Sequence, residues 1–376
     1  MTLMGISAGE VSGDRYGALL ATAIQRLDPT IALEGMGHLA MQEAGVRCHV
    51  DIATHSSIGV LDVIRSLPAV LVGIWRMVRW IKRTPSMTAL ILIDCQGVNM
   101  VLARVAKRQG IPVIYFIAPQ EWQWGTDSGG SQVVRYTDLL LTIFQEETQF
   151  YRRLGGRVMW VGHPIYELSN SHLPEQRGHS LILAVFPGSR VQEMTLTFPV
   201  LLDAATRLLK RGVIHQIVVS VATPLLKHRI ESVVARYGVS VLYWERSSDE
   251  LIRQATLSLA SSGTVTLQHA VLGTPCVVGY RFGSWSYRVA QWVLGKRRDR
   301  IPFMALPNLL LNEEIMPEFF QDRCRADDIE ASALQIITDA GVRDRLLWGY
   351  QRVRDRLGES GAIDRAARAI VAKAWY

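Results

Sequence analysis

The strongest constraint on the fold is a rhythm. Short runs of apolar and β-branched residues alternate with longer amphipathic stretches along almost the whole chain. The runs are TLMGISA (2–8), IALEGMG (31–37), ALILIDC (89–95), PVIYFIA (112–118), DLLLTIF (138–144) and VMWVG (158–162). They continue as LILAVFPG (181–188), HQIVVSVA (215–222), VSVLYWE (239–245), LSLASSG (257–263) and PCVVGYR (275–281). Runs that are apolar at nearly every position belong to parallel strands covered on both faces, with crossover helices between them. The expected class is therefore α/β and doubly wound. At 376 residues and 49% hydrophobic content, the chain exceeds one ordinary core, so two domains are expected.

A polar stretch, ELSNSHLPEQRGHS (167–180), interrupts the rhythm and reads as the linker. Each side of it opens alike, with a strand, a small-residue loop and a helix: MGISAGEVSGDRYGALL on one side, LAVFPGSRVQEMTL on the other. The expectation is two Rossmann-like domains, 1–167 and 181–340, facing one another across a cleft at their strand C-termini. Helices over 341–376 would be free to pack back on the first domain.

Composition narrows the field only slightly. Lys and Arg outnumber Asp and Glu by 41 to 34, which suits nucleic acid, anionic lipid, a phosphorylated small molecule or a merely basic surface. Cys48, Cys95, Cys276 and Cys324 are scattered, as expected for reduced thiols of an intracellular protein. The N-terminus lacks the basic and apolar regions of a signal peptide, and no apolar run reaches membrane-spanning length. GxGxxG at a domain start, GxxxxGK[ST], HExxH and CxxC are all missing, and the histidines form no ligand-spaced cluster. A dehydrogenase, a P-loop enzyme and a metal site are disfavoured, and no cofactor is expected.

Four strand ends carry chemistry-bearing residues. In SAGEVSGD (7–14), Gly9 and Gly13 allow close backbone approach, while Glu10 and Asp14 would repel an anion and suit sugar hydroxyls. An ordinary turn, with Ser12 or Asp14 capping the next helix, is the competing reading. In FPGSRVQE (186–193), Gly188, Ser189 and Arg190 could hold a diphosphate, or form a plain surface turn. Ser262, Gly263 and Thr264 in LASSGTVTLQHAVLGTPCVVGYR (259–281) offer donors to an anion, or caps to a helix. Asp94 ends the buried run ALILIDCQGVN, so its carboxylate must reach water, a hydrogen-bond partner or a substrate. His163 follows another strand, and a lone His there is more often structural.

VIRSLPAVLVGIWRMVRWIKR (63–83) reads as a helix with Ser66 as a cap and Pro68 in its first turn. Leu71, Ile74, Trp75, Val78 and Ile81 form one apolar stripe. Arg76, Arg79 and Arg83 lie on a second face, with Trp80 beyond them and Lys82 at the edge. Such a helix suits a membrane interface, or a core position with snorkelling Arg.

Taken in order, SAGEVSGD, IDCQGVN, APQEWQW, VGHP, PGSRVQE, SSGTVTLQHAVLGTPCVVGYR and LPNLL resemble the lipid-A-disaccharide synthase family, glycosyltransferases of the GT-B fold. The resemblance implies transfer of a diacylglucosamine unit from its UDP donor to diacylglucosamine 1-phosphate, with release of UDP and no metal. It implies a peripheral enzyme on the cytoplasmic face of the inner membrane, held there through residues 63–83, with no nucleic-acid partner. The 1–167 domain would then be the acceptor and membrane side, and 181–340 the UDP-sugar side.

By the same resemblance Asp94 is the general base. Arg190 and the backbone donors of 188–189 and 262–264 would stabilise departing UDP. Glu10, Ser12, Asp14 and His163 would line the sugar and acceptor side, Gln268 would meet the ribose, and Asn308 would sit near the donor. Three positions depart from the family pattern: Gly97 and Gln268 replace acids, and Glu313 replaces an Arg. These leave open a same-fold UDP-sugar enzyme of altered specificity, or a non-catalytic nucleotide-sugar-binding paralogue.

Overall fold

The computed structural model describes residues 2–51, 60–169, 181–281, 283 and 303–373, and of residues 11, 12, 60–67, 123 and 124 the backbone only. All the apolar runs contribute strands, most of them trimmed at the ends. β1 (Thr2–Ala8), β2 (Ile31–Gly37), β3 (Arg47–Asp51), β4 (Ala89–Ile93), β5 (Val113–Phe116), β6 (Leu139–Thr142) and β7 (Val158–Trp160) form one parallel sheet. Its order is β3-β2-β1-β4-β5-β6-β7. β8 (Ile182–Phe186), β9 (Gln216–Ser220), β10 (Leu242–Trp244), β11 (Leu257–Ser261), β12 (Cys276–Tyr280) and β13 (Glu318–Phe320) form a second parallel sheet, ordered β10-β9-β8-β11-β12-β13.

Both sheets are Rossmann-like, and each reverses direction once. The first strand of each, β1 or β8, lies beside the fourth, β4 or β11, and these are the topological switch points where α/β sheets bind ligands. Ala8 pairs with Ile93, and Phe186 with Ala260. The loops 9–10 and 94–95 are therefore neighbours, as are 187–189 and 262–263. The four motifs singled out in the sequence fall on these four strand ends.

The chain divides into two compact units: Met1–Ser57, Leu61–Leu168 and Leu357–Tyr376, and Ile58–Val60 with Ser169–Arg356. The first contains α1 (Val11–Leu27), α2 (Leu39–Glu43), α3 (Val60–Arg83), α4 (Gln96–Arg108), α5 (Glu121–Trp124), α6 (Asp127–Arg135), α7 (Gln145–Arg153) and α8 (Ile165–Leu168). The second contains α9 (Val191–Leu196), α10 (Phe198–Lys210), α11 (Pro224–Ala235), α12 (Ser248–Gln254), α13 (Thr264–Leu272), α14 (Leu306–Leu311), α15 (Ala326–Thr338) and α16 (Ala340–Leu357). The last helix, α17 (Ala362–Val371), belongs to the first unit and packs on α1. Glu167 holds its start by accepting from the Gly361 and Ile363 N–H groups at 2.7 and 3.3 Å, and Arg365 Nε donates to the Val161 carbonyl at 2.8 Å.

Of the 167–180 stretch, 167–168 end α8 and Ser169 is buried; residues 170–180 lie outside the described residues. The stripe expected on the 63–83 helix is corrected. Met77 and Ile81 are fully buried in the core, with Val78 and Trp80 packed against them. Leu71, Val72 and Trp75 are exposed at 56%, 49% and 56%. Ile81 lies roughly 80–120° round the helix from Leu71 and Trp75, because the helix docks through Met77 and Ile81 in its C-terminal half, while Ile74 and Val78 are half-buried and Leu71, Val72 and Trp75 form an exposed apolar patch further back.

Candidate active site

In the first unit, the strand-end carboxylate sits on an unusual turn. Asp94 and Cys95, neither of them glycine, hold φ of +51° and +44°. Asn99, fully buried in the first turn of α4, donates its amide to the Ile93 and Asp94 carbonyls at 2.9 and 2.8 Å. Its own Oδ1 accepts from Ser7 Oγ at 2.8 Å, and Tyr115 Oη donates to the Asp94 carbonyl at 2.7 Å. Gly9 is required here, since a Cβ would run into the Cys95 thiol. Burial pushes the Asp94 carboxyl up to about 6, the Glu10 charge adds to this, and a hydrogen bond from the Cys95 N–H opposes it.

Aromatic rings flank this strand end. Tyr16 meets His163 edge-on at 6.4 Å between centroids, His163 meets Phe144 at 5.5 Å, and Phe144 meets Trp122 at 5.8 Å. Burial drives the His163 imidazole down to about 3, so it is neutral. Its Nδ1 accepts from the Ile165 N–H at 3.0 Å, which leaves the proton on Nε2. His163 is thus a neutral donor rather than a base. Glu147, 1% exposed, caps α7: its Oε2 accepts from the Ile143 and Phe144 N–H groups at 2.8 and 3.3 Å. Its Oε1 and the Trp122 indole N–H are buried and unpaired. Burial lifts the Glu147 carboxyl to about 8 against the pull of those N–H groups, with the Asp94 charge assisting, so it stays protonated at neutral pH.

Asp14 requires a correction. Its buried carboxylate accepts from the backbone N–H groups of His38, Ala40 and Met41 at 2.6, 3.0 and 3.4 Å, so it anchors α2 rather than facing a ligand. Glu10 is exposed at the start of α1, and the Ser12 side chain lies outside the described residues. Gly97 has nothing within 4 Å of where a Cβ would stand. The nearby Gln96 amide donates to Glu121, which brings a carboxylate across from the next strand end.

In the second unit the loops are glycine turns. Gly188 holds φ +104°, and a Cβ there would meet the Glu193 carboxylate. Glu193 Oε2 accepts from the Ser189 and Arg190 N–H groups at 2.8 and 3.0 Å, so the Ser189 N–H is not the ligand donor expected of it. What this turn presents outward is the Ser189 side chain and the Arg190 guanidinium, which is 42% exposed with Nη1 3.9 Å from Glu193. Across the switch point, Gly263 holds φ +150° before α13, and no side chain caps that helix. Gly263 and Thr264 are exposed there, so the N-terminus of α13 can receive an anion. Ser262 instead donates to the Met304 carbonyl at 2.9 Å.

Two further expected ligand residues are internal. The Gln268 amide donates one N–H to buried Asp249 at 2.8 Å, which commits part of its nitrogen within the unit and leaves its oxygen for a ligand. Asn308 is fully buried and spends both ends of its amide on the Ile315 N–H, the Met316 N–H and carbonyl, and Glu318. It staples the segment after α14 and cannot also face a donor. Glu313 pairs with Arg352 at 2.7 Å, so its charge is balanced within the unit. The residues to which the sequence assigned no role are Ser7, Tyr16, Asn99, Tyr115, Trp122, Phe144 and Glu147. Ser7, Asn99 and Trp122 carried a signal, inside SAGEVSGD, IDCQGVN and APQEWQW.

The profile of the family described as lipid-A-disaccharide synthetase matches residues 4–359. A lipid-A-disaccharide synthase of Geobacter sulfurreducens is 32% identical over 97% of this chain and 96% of its own. One from Prochlorococcus marinus is 34% identical over 99% of both. Among solved structures, a UDP-GlcNAc 2-epimerase from Neisseria meningitidis bound to UDP-GlcNAc aligns with TM-score 0.63 and 12% identity, covering 100% of this chain and 99% of that one, which shows the shared fold. On sequence the chain belongs to the lipid-A-disaccharide synthetase family.

Proposed function

We propose that the protein transfers a diacylglucosamine unit from its UDP donor to the 6-hydroxyl of diacylglucosamine 1-phosphate. Asp94 accepts the hydroxyl proton as the oxygen forms its bond to the anomeric carbon. The bond from that carbon to the diphosphate breaks, and UDP leaves with the electron pair and inverted stereochemistry behind it. Arg190, Ser189 and the N-terminus of α13 meet the charge gathering on the diphosphate. His163 donates a hydrogen bond from Nε2 to a sugar or acceptor oxygen, Glu10 faces sugar hydroxyls, and the Gln268 oxygen accepts from a ribose hydroxyl.

One observation carries this reading above the others: the Asp94 carboxylate, at a switch point, titrates near 6, where a base both takes and releases a proton at neutral pH. The test is UDP release from the two acylated substrates. Asp94→Asn should lower kcat by about 10²–10⁴ with folding intact; equal release from the variant rejects the base. The same variant should unfold at a higher temperature at pH 7.5. The folded-state carboxyl is raised from 3.8 to about 6, so stability falls as pH rises through that window and the amide is spared the loss.

Residues 68–83 would hold the enzyme on an anionic membrane surface on the cytoplasmic side of the inner membrane. Leu71, Val72 and Trp75 are the exposed apolar patch, Arg79 lies 5.1 Å over the Trp75 ring, and Arg76, Lys82 and Arg83 are exposed beside it. No helix among the described residues is long and apolar enough to cross a membrane. Leu71→Glu/Trp75→Glu should abolish flotation with phosphatidylglycerol-containing vesicles. Unchanged flotation would reject this surface.

A further inference from the structure

A left-handed backbone at a residue with a Cβ is disfavoured by roughly 1–2 kcal/mol, and Asp94 and Cys95 adopt it in succession. Something must hold them there. Neither residue gains from it through helix capping, since Cys95 stands at the N-cap of α4 with no side-chain cap bond. What opposes relaxation is a set of donors converging on the carbonyls that enter the turn. Asn99 Nδ2 reaches the Ile93 and Asp94 carbonyls, and Tyr115 Oη reaches the Asp94 carbonyl from β5.

The orientation of the Asn99 amide is fixed as well. Its Oδ1 takes the Ser7 hydroxyl from β1, so Nδ2 must face the carbonyls. Both residues are fully buried, and they come from the elements that flank the switch point. If the turn relaxed to negative φ, the Cα–Cβ bond of Asp94 would swing and carry its carboxylate away.

We propose that Asn99 and Tyr115 are positioning residues: by gripping the Asp94 carbonyl they keep the Asp94–Cys95 turn left-handed and aim the Asp94 carboxylate at the acceptor hydroxyl. This rests on the reading of Asp94 as the base. The role concerns rate rather than substrate affinity, because a displaced base weakens proton transfer without touching the groups that bind the sugars.

The experiment measures kcat, KM and the thermal midpoint for Tyr115→Phe, Asn99→Ala, Asn99→Ala/Cys95→Gly and Asp94→Asn in one series. Tyr115→Phe keeps the ring packed and should lower kcat about 10-fold with KM within about twofold of wild type. Asn99→Ala should lower kcat about 100-fold. Glycine adopts φ +44° without the Cβ penalty, so adding Cys95→Gly to Asn99→Ala should recover about 10-fold of that loss.

The positioning role is overturned if Tyr115→Phe turns over at the wild-type rate, if the losses fall on KM, or if Cys95→Gly recovers nothing. Should Asn99→Ala not fold, Tyr115→Phe alone decides. If Asp94→Asn keeps the wild-type rate, the base assignment falls and the positioning role falls with it. If Asp94→Asn is inactive while Tyr115→Phe and Asn99→Ala are normal, only the positioning role falls.

Discussion

The two switch points share one topology and differ in almost everything placed upon it. In the first unit, the turn after β4 is forced into left-handed backbone at non-glycine residues and surrounded by buried rings and acids. In the second, the turns after β8 and β11 pass through Gly188 and Gly263, and an exposed Arg stands beside them. The difference follows from the chemistry each is proposed to perform. A group that moves a proton needs a fixed direction and a dry setting that shifts its ionisation. A diphosphate needs close backbone approach, uncapped N–H groups and a cation that can follow it.

The largest effect expected from this contrast is a double dissociation. Arg190→Ala should weaken UDP binding by about 10–100-fold, the size of a lost charge-assisted hydrogen bond. Asp94→Asn should leave UDP affinity unchanged while removing turnover. Titration calorimetry with UDP alone checks both, and equal loss in the two variants would break the division of labour between the units.

A smaller effect is expected at Gln268. Restoring an acid there would set a second carboxylate against Asp249, whose oxygen now accepts the Gln268 amide at 2.8 Å in a buried site. Gln268→Glu should destabilise by about 1–3 kcal/mol, and Gln268→Glu/Asp249→Asn should recover most of it by restoring one donor and one acceptor. Urea unfolding measures both. A neutral single variant would mean that the pair is looser than its geometry.

The contrast also explains what the sequence could reveal. Apolar runs such as Ala89–Ile93 and Leu257–Ser261, buried at every position, announce themselves. The missed strands, Arg47–Asp51 and Glu318–Phe320, are sheet edges; the first buries only Val50 and the second spans three residues. On α3 the period was clear but its phase was not, because apolar residues occur around the whole circumference from Leu71 to Ile81. At the site, Asp94 and Arg190 stood out as charges on strand ends. Asp14 and Ser262, expected at the site from their motifs, and Asn308, expected there from the resemblance, turned out to be bonded to the backbone. A cap and a ligand contact ask for the same residue types after a strand, and only the partners distinguish them. Asn99 stood inside IDCQGVN without a readable role, because its partners are the Ile93 and Asp94 carbonyls and the distant Ser7 hydroxyl, and Tyr115 reaches the turn from the next strand.

The sharpest test of the dry setting in the first unit concerns Glu147. In the folded protein burial lifts its carboxyl from the ordinary 4.5 to about 8. Between those values the folded state keeps a proton that the unfolded chain has given up, so stability declines as pH rises through the window. Above 8 both states are ionised and the full penalty of a buried charge is present. Glutamine reproduces the protonated acid: its oxygen can accept from the Ile143 and Phe144 N–H groups, and its amide nitrogen stands where the unpaired oxygen was. Glu147→Gln should therefore match wild type near pH 4 and exceed it increasingly up to about pH 8, above which the gap stays constant, with urea midpoints as the measure. Asp94 contributes its own decline only below about 6, so a difference between the two proteins that grows from pH 6 to 8 belongs to Glu147. Parallel curves over that range would show that the carboxyl is solvated and that the first switch point is not dry.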